Sequence, residues 1–414
     1  MSSKDVRVPQ RNLPELEECL QQILEQVKGQ KREILRVPLN QSCGKVLAEN
    51  VYSPISVPPY PKSAMDGYAV VASELEGASG EHPVTLQVVG ELFAGDFEEV
   101  AHIPLSAVRV MTGAYVPSAF DAVIRQEDTD YGEEQVEVYT SVAKYRNYCP
   151  EGEDIQKGAL VLAENTKLTP VHIGLLASVG LGEVSVRKPV SAAIISTGSE
   201  LCPAENPLPT GKIYNNVGPM LAAAIEREGL SVYSLSICPD EEEALRDTIS
   251  AALEGADIVI TTGGVSVGKK DLVPGVLKAL DARILFTGAN IQPGTPTTVG
   301  VRGGKILLCL SGNPYAAIVN FEYYFWSLAA ALMECEDFLA ETRTATLQSA
   351  YPKVNGLRRM VRARVEGDKV YLPSAVHASS VLHNLTECNC FLDLEAGRSV
   401  SVGDEVRIRM IKGK

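Results

Sequence analysis

The 414-residue chain reads as a multidomain α/β-plus-β protein, with a doubly wound α/β domain in its middle, a β-rich module before it and a small β-barrel or sandwich after it. Three observations predict this. Beyond residue 185, apolar segments ending in polar or Gly-rich loops (SAAIISTGSEL, SVYSLSICPD, GADIVITTGGVSVG) alternate with helical ones (PMLAAAIEREG, EEEALRDTISAALEG), the pattern of a parallel sheet covered on both faces. Ahead of it lie short alternating runs such as VTLQVVGEL, AVRVMTGA, DAVIRQED and QVEVYTSV. Behind it MVRARVEG, KVYLPSA, CFLDLEAG and EVRIRMIKG alternate again.

Residues 13–27 predict an amphipathic surface or interface helix, because Leu16, Leu20, Ile23 and Val27 recur at helical spacing and Glu15, Glu17 and Glu18 load the first turn. From residue 51 the chain is Pro-rich and extended (SPISVPPYPKSAMDG), leading into a β module of roughly 90 residues. In the α/β stretch Gly229 and Gly255 are read as closing the two helices. Ligands of such sheets sit beyond the carboxyl ends of the strands, so the loops at 196–200, 238–240 and 261–271 are expected to converge on one site. An apolar helix over 315–333 precedes the C-terminal strands, and no internal repeat or low-complexity tract is present.

Composition narrows the function classes. Lys and Arg number 38 against 52 Asp and Glu, and a net charge of −14 argues against a broad nucleic-acid surface, so an anionic ligand has to be held locally. The opening MSSKDVRVPQRNLPELEE lacks the succession of a secretory signal, and the longest apolar stretches fall far short of the ~20 residues that span a bilayer. A cytoplasmic chain with no membrane partner is expected. Nine cysteines without a C-x-x-C or a histidine cluster predict reduced thiols, with Cys388 and Cys390 serving packing.

The loop Thr261-Thr262-Gly263-Gly264-Val265-Ser266-Val267-Gly268 follows a buried strand, and its glycines suit close approach to an anion; it is neither the Rossmann nor the P-loop fingerprint, and a plain tight turn uses the same residues. Asp271, just beyond, favours the site, because a carboxylate beside a phosphate cradle usually holds magnesium. Glu200 and Asp240 occupy corresponding strand-end loops; Asp240 also suits a helix N-cap, and Glu200 a solvated loop. The turns Pro293-Gly294-Thr295-Pro296 and Leu310-Ser311-Gly312-Asn313-Pro314 flank a hairpin and suit either a site wall or a purely structural role.

In combination these segments are more specific. PPYPKSAMDGYAV, VMTGAYVP with DAVIRQED, EGEDI, STGSEL, TTGGVSVGKKD, PGTPT and LSGNP stand in the order seen in the molybdopterin molybdenumtransferase family, which includes the E domain of gephyrin, and the chain resembles that family over nearly its whole length. The resemblance implies an N-terminal lever (1–54 with 146–185), an inserted β-rich domain (55–145), a molybdopterin-binding α/β domain (186–335) and a C-terminal β-barrel (336–414). It also implies a homodimer whose active site spans the interface, with Asp66, Thr112 and Asp154 acting in trans.

By the same resemblance, adenylylated molybdopterin lies over Thr197, Gly198, Thr262, Gly263, Gly264, Ser266 and Gly268, with Pro296, Ser311 and Pro314 nearby. Glu200, Asp240 and Asp271 stand near the pyrophosphate, with Asp240 and Asp271 on a magnesium ion. Molybdate lies alongside, and its insertion is coupled to release of AMP. Arg362 and Ser379 match anion-binding positions; a guanidinium suits an oxyanion through its planar fork, although Arg362 also fits a solvated strand position.

The chain departs from the family in one loop. Members read K-P-G-K-P where this chain has Gln292-Pro293-Gly294-Thr295-Pro296, so both lysines are missing. Val217 stands where a polar residue is common, and Lys269 and Lys270 stand before Asp271, one of them a candidate replacement for the lost charge. Three functions remain in view: the transferase, favoured by its acidic set; the adenylyltransferase of the preceding step, which lacks the SAMDGYAV module; and a scaffold, or a divergent paralogue preferring another oxyanion such as tungstate.

Overall fold

The computed structural model describes residues 13–264, 272–373, 378 and 380–414. The N-terminal amphipathic segment forms the helix Leu16–Val27, opened by the Glu18 carboxylate accepting the Glu15 amide at 3.3 Å. Its apolar face, Leu16, Cys19, Ile23 and Val27, is buried in the core of the α/β domain against the helix Trp326–Met333.

The chain then builds a small unit in which Ile34–Pro38 pairs antiparallel with Glu183–Arg187, and Val51–Tyr52 with Leu160–Leu162, over a core of Leu39, Leu47, Leu168, Leu176, Val184 and Val186. The β-rich module is inserted between the strands 51–52 and 160–162. Its sheet runs Ala122–Arg125, Gly67–Val70, Ser106–Val110, Val84–Leu92, Gln135–Val138, with only the pair 84–92 and 106–110 parallel. Successive side chains of a strand point to opposite faces. Tyr68 and Val70 accordingly enter one core with Leu86 and Ile124, while Ala69 enters another with Val108 and Val123.

The α/β sheet has the order Ser231–Cys238, Ser191–Thr197, Ile258–Thr262, Lys305–Leu310, Thr298–Arg302, Arg283–Thr287. Its first four strands are parallel; the last two are antiparallel additions, and Thr298–Arg302 turns into Lys305–Leu310 through the left-handed pair Gly303 and Gly304 (φ 57° and 80°), as a two-residue hairpin demands. Helices Val217–Arg227 and Pro314–Asn320 cover one face, and Glu242–Gly255 with Val273–Ala279 the other. Burial on both faces explains the unbroken apolar strands. Val217, where a polar residue was the family habit, is 4% exposed and belongs to this core.

Two local expectations differ from the structure. Gly229 does close its helix in the left-handed conformation (φ 81°), but Gly255 is the last helical residue itself, and a Cβ there would lie 2.1 Å from the Tyr233 ring. Gly255 is small because an aromatic packs on it. The apolar segment 314–333 is interrupted by a π-helical turn, Phe321–Phe325, which turns Glu322 inward to accept the Lys412 amide at 3.0 Å.

The C-terminal strands close a barrel, in the order Thr342–Leu347, Lys369–Tyr371, Arg359–Glu366, Cys390–Leu394, Glu405–Met410, rather than stacking as a sandwich. It is tied to the first helix through Arg358, which makes a two-pronged contact with Asp393 (both 2.7 Å) and reaches Glu17 at 2.6 Å. Cys388 and Cys390 are buried, and burial pushes both thiols up, the latter to about 12.

Candidate ligand site beyond the parallel strands

The loops after the parallel strands meet as the topology requires. The loop after 191–197 is locked to the one after 231–238 by a reciprocal pair: Ser199 N–H donates to Asp240 Oδ2 and Asp240 N–H to Ser199 Oγ, each at 3.2 Å. Asp240 is therefore not the cap of the next helix; Glu241 holds that place. The Glu200 carboxylate folds back over Gly198, where a Cβ would meet its oxygens at 2.7 and 2.8 Å.

The strand 258–262 enters the same junction. Thr197 Oγ1 donates to the Thr262 carbonyl at 3.1 Å, and Gly263 N–H donates to the Leu310 carbonyl at 2.9 Å. Gly263 has a φ of 99°, and a Cβ on it would lie 2.5 Å from Thr197 O. Gly312 presses on Gly263 from the far side, its built Cβ 3.3 Å from Gly263 Cα. Thr197, Gly198, Glu200, Asp240, Thr262, Gly263, Gly264 and the turn carrying Ser311 and Pro314 thus gather at one edge. Ser266, Gly268, Lys269, Lys270, Asp271 and Ser379 lie outside the described residues.

One residue here had no signal in the motifs: Lys212, returning from the 203–212 excursion, donates its amine to the carbonyl of Ser199, the residue whose amide and hydroxyl engage Asp240. Among the described residues no cluster of three or more His, Cys, Asp or Glu side chains suits a metal. Asp240 Oδ1 has no hydrogen-bond partner among the described residues and Glu200 is exposed, and such hard oxygen donors suit magnesium, which keeps several waters and takes one or two carboxylates.

The turn 292–296 faces the barrel. Gln292 N–H donates to Arg358 O at 2.8 Å and Gln292 O accepts from Met360 N–H at 3.0 Å, while Thr295 Oγ1 is occupied by the Ile291 carbonyl. Asn320 Nδ2 braces the turn through Gly294 O at 2.9 Å, and Pro296 is half-buried beside it. Arg362 is fully buried rather than solvated: Nη2 donates to Ala378 O at 2.7 Å, Nη1 to Val381 O and Asn384 Oδ1, and the guanidinium lies 3.8 Å from the Tyr315 ring centroid. Both terminal nitrogens are thus taken up by Ala378, Val381 and Asn384, and Nε is buried without an acceptor.

A second group of expected residues sits in the inserted module. Asp66 Oδ1 accepts from both the amide and the hydroxyl of Thr112, each at 2.7 Å, and these donors, the amide foremost, hold the carboxyl below its usual value. A cavity of about 280 Å³ beside them is lined by Lys62, Thr112, Tyr148, Cys149 and Glu153, and the exposed Asp154 follows Glu153. Among the described residues no hydrogen bond or ion pair joins Asp66, Thr112 or Asp154 to the sheet-edge loops.

A parallel sheet whose strand-end loops gather glycines, carboxylates and a lysine places this junction where α/β proteins of the doubly wound class take their ligands. Comparison with known proteins makes the class specific. Residues 14–180 match the MoeA N-terminal region (domain I and II), 193–330 a probable molybdopterin binding domain, and 344–410 the MoeA C-terminal region (domain IV). The chain is 33% identical over 405 residues to molybdopterin molybdenumtransferases of Staphylococcus epidermidis and Staphylococcus aureus, covering 97% of this chain and 96% of each relative. A molybdopterin biosynthesis MoeA protein from Pyrococcus horikosii superposes with a TM-score of 0.82 at 30% identity, over 97% of this chain and all of that one. A second structure, from Pyrococcus horikoshii OT3, gives 0.81 at 27%, over 96% and 100%. The chain belongs to the molybdopterin molybdenumtransferase family, whose role is in molybdenum cofactor biosynthesis.

Proposed function

We propose that the protein is a molybdopterin molybdenumtransferase that takes molybdate and adenylylated molybdopterin as substrates, inserts the metal into the dithiolene and releases AMP. The observation that carries this reading is the locked junction of Ser199, Asp240, Thr197, Thr262 and Gly263 at the sheet edge, with Glu200 and Lys212 on its rim. Glycines at 198, 263 and 312 keep that edge free of side chains, so that a pyrophosphate can approach the backbone.

Asp240 with Asp271 would hold magnesium, which when bound offsets phosphate charge as a Lewis acid. The chain's own contribution is positioning: Ser199 orients the Asp240 carboxylate, Lys212 offsets the acids around it, and Arg362 holds Ala378, Val381 and Asn384. Prearranged charge of this kind stabilises developing anions without reorganisation.

Asp66, Thr112 and Asp154 stand apart from that edge, and the Thr112 donors hold the Asp66 carboxyl below its usual value. We assign them to the site of the partner subunit in a homodimer, the commonest closed arrangement of identical chains. The protein is read as cytoplasmic; among the described residues no helix is long and apolar enough to cross a membrane. The test is AMP release from adenylylated molybdopterin with magnesium, titrating molybdate and tungstate separately. Saturable, molybdate-dependent release supports the transferase. Pterin binding without oxyanion-dependent release sinks it in favour of a scaffold, the reading that the neutral Gln292 and Thr295 favour.

A further inference from the structure

Three arginines of the segment 358–362 stand where the sheet domain meets the barrel, and their surroundings differ. Arg358 is neutralised by Asp393 and Glu17. Both terminal nitrogens of Arg362 are taken up by carbonyl oxygens and its face by the Tyr315 ring, leaving only a buried Nε without an acceptor, as in Arg359. Arg359 has no carboxylate within ion-pair distance among the described residues: its Nη1 donates to Gln292 Oε1 at 3.1 Å, its guanidinium lies 5.7 Å from the Tyr351 ring centroid, and its Nε is buried without an acceptor.

The position of Arg359 is set by backbone. Gln292 pairs with Arg359 as a parallel bridge, through the bonds to Arg358 O and from Met360 N–H, which stitches the 292–296 turn to the first residue of the strand Arg359–Glu366. Asn355 Nδ2 donates to the same Gln292 oxygen, so that oxygen is engaged from two sides while the side chain's own NH2 has no acceptor among the described residues. A guanidinium tethered by a neutral amide keeps its whole charge for a ligand, whereas one tethered by a carboxylate does not.

We propose that Arg359 is the specificity-determining cation of an oxyanion subsite at this stitch, with the Gln292 amide as its neutral second donor, and that the subsite takes a tetrahedral dianion of the molybdate class. The inference rests on the transferase reading and deepens it. The charge that a lysine at 292 or 295 would bring from the turn is supplied from the opposite side, by the barrel strand. Lys269 and Lys270 are not needed for it.

The test uses the full chain as wild type, Arg359→Gln, Arg359→Lys and the double variant Arg359→Gln with Gln292→Lys, dialysed to equilibrium against radiolabelled molybdate, with molybdopterin binding measured in parallel. Loss of one charged hydrogen-bonding partner predicts molybdate retention weaker by roughly tenfold to a hundredfold in Arg359→Gln. Arg359→Lys keeps most of it, Gln292→Lys recovers it, and molybdopterin binding does not move. Undiminished molybdate binding by Arg359→Gln overturns the proposal and leaves the transferase standing. So does a loss that Gln292→Lys fails to recover, since that marks a structural role. A wild type that retains no molybdate while binding molybdopterin overturns the proposal and the transferase reading together.

Discussion

Replacing Gly263 with alanine probes the junction on which the site depends. At a φ of 99° an L-residue is strained, and the added Cβ would sit 2.5 Å from Thr197 O and 2.6 Å from Thr197 Oγ1. Neither atom yields easily: Thr197 is 6% exposed, ends a strand in register with Cys238, and its hydroxyl is bonded to Thr262 O. The backbone conformation costs about 1–2 kcal/mol and the overpacking about 1–3 kcal/mol, so the loss is about 2–5 kcal/mol. Gly264→Ala is the control. Its φ of 70° carries the same backbone cost, but its nearest neighbours stand at 3.4 Å, leaving about 1–2 kcal/mol. The single tryptophan, Trp326, is fully buried in the α/β core, which the first helix and Met360, Phe391 and Ile411 of the barrel share, so its fluorescence during urea unfolding reports that joint core. A Gly263→Ala loss no larger than that of Gly264→Ala would refute the close approach of the two loops.

Other consequences follow from single contacts. Thr112→Val removes the hydroxyl donor but leaves the amide, so the Asp66 carboxyl should titrate at higher pH in an NMR titration, and an unmoved titration would mean the hydroxyl contributes nothing. Burial pushes the Glu322 carboxyl up to about 7 from 4.5, so the folded state holds a proton that the unfolded state has lost and stability falls as pH rises between those values. Glu322→Gln should flatten that fall in melting temperatures measured from pH 4.5 to 8; an unchanged slope would acquit Glu322. Asp393→Asn leaves the buried Arg358 with only the half-exposed Glu17, at a cost of about 3–5 kcal/mol in a thermal melt. A cost under about 1 kcal/mol would show the pair to be dispensable.

Periodicity carried much of the architecture. The first helix, the parallel strands and the glycine hairpin were legible because each pattern reports its own burial: Ile194 and Ile195 are both buried, and so are Ile260 and Thr261. The convergence of the loops at 197–200, 240 and 263 was also legible, since strand direction alone sends them to one edge. Asp240 was less so. Its choice between cap and site turned on Ser199, a residue 41 positions away, through a reciprocal pair that no local pattern announces. Gly255 was misread for the same reason, because what this helix end accommodates is Tyr233 on the strand Ser231–Cys238.

The cations show the division most plainly. By itself the sequence determined the ordered motifs, the acidic set and the absence of lysine at 292 and 295, all of which are matters of residue type and spacing. Only the tertiary structure decided which arginine has charge to offer. Arg358, Arg359 and Arg362 are equivalent on paper, yet one faces Asp393, one is enclosed by carbonyls and one meets a neutral glutamine. A side chain's charge is a property of its residue, but the charge left for a ligand depends on partners brought from distant parts of the chain, and those partners are chosen by folding.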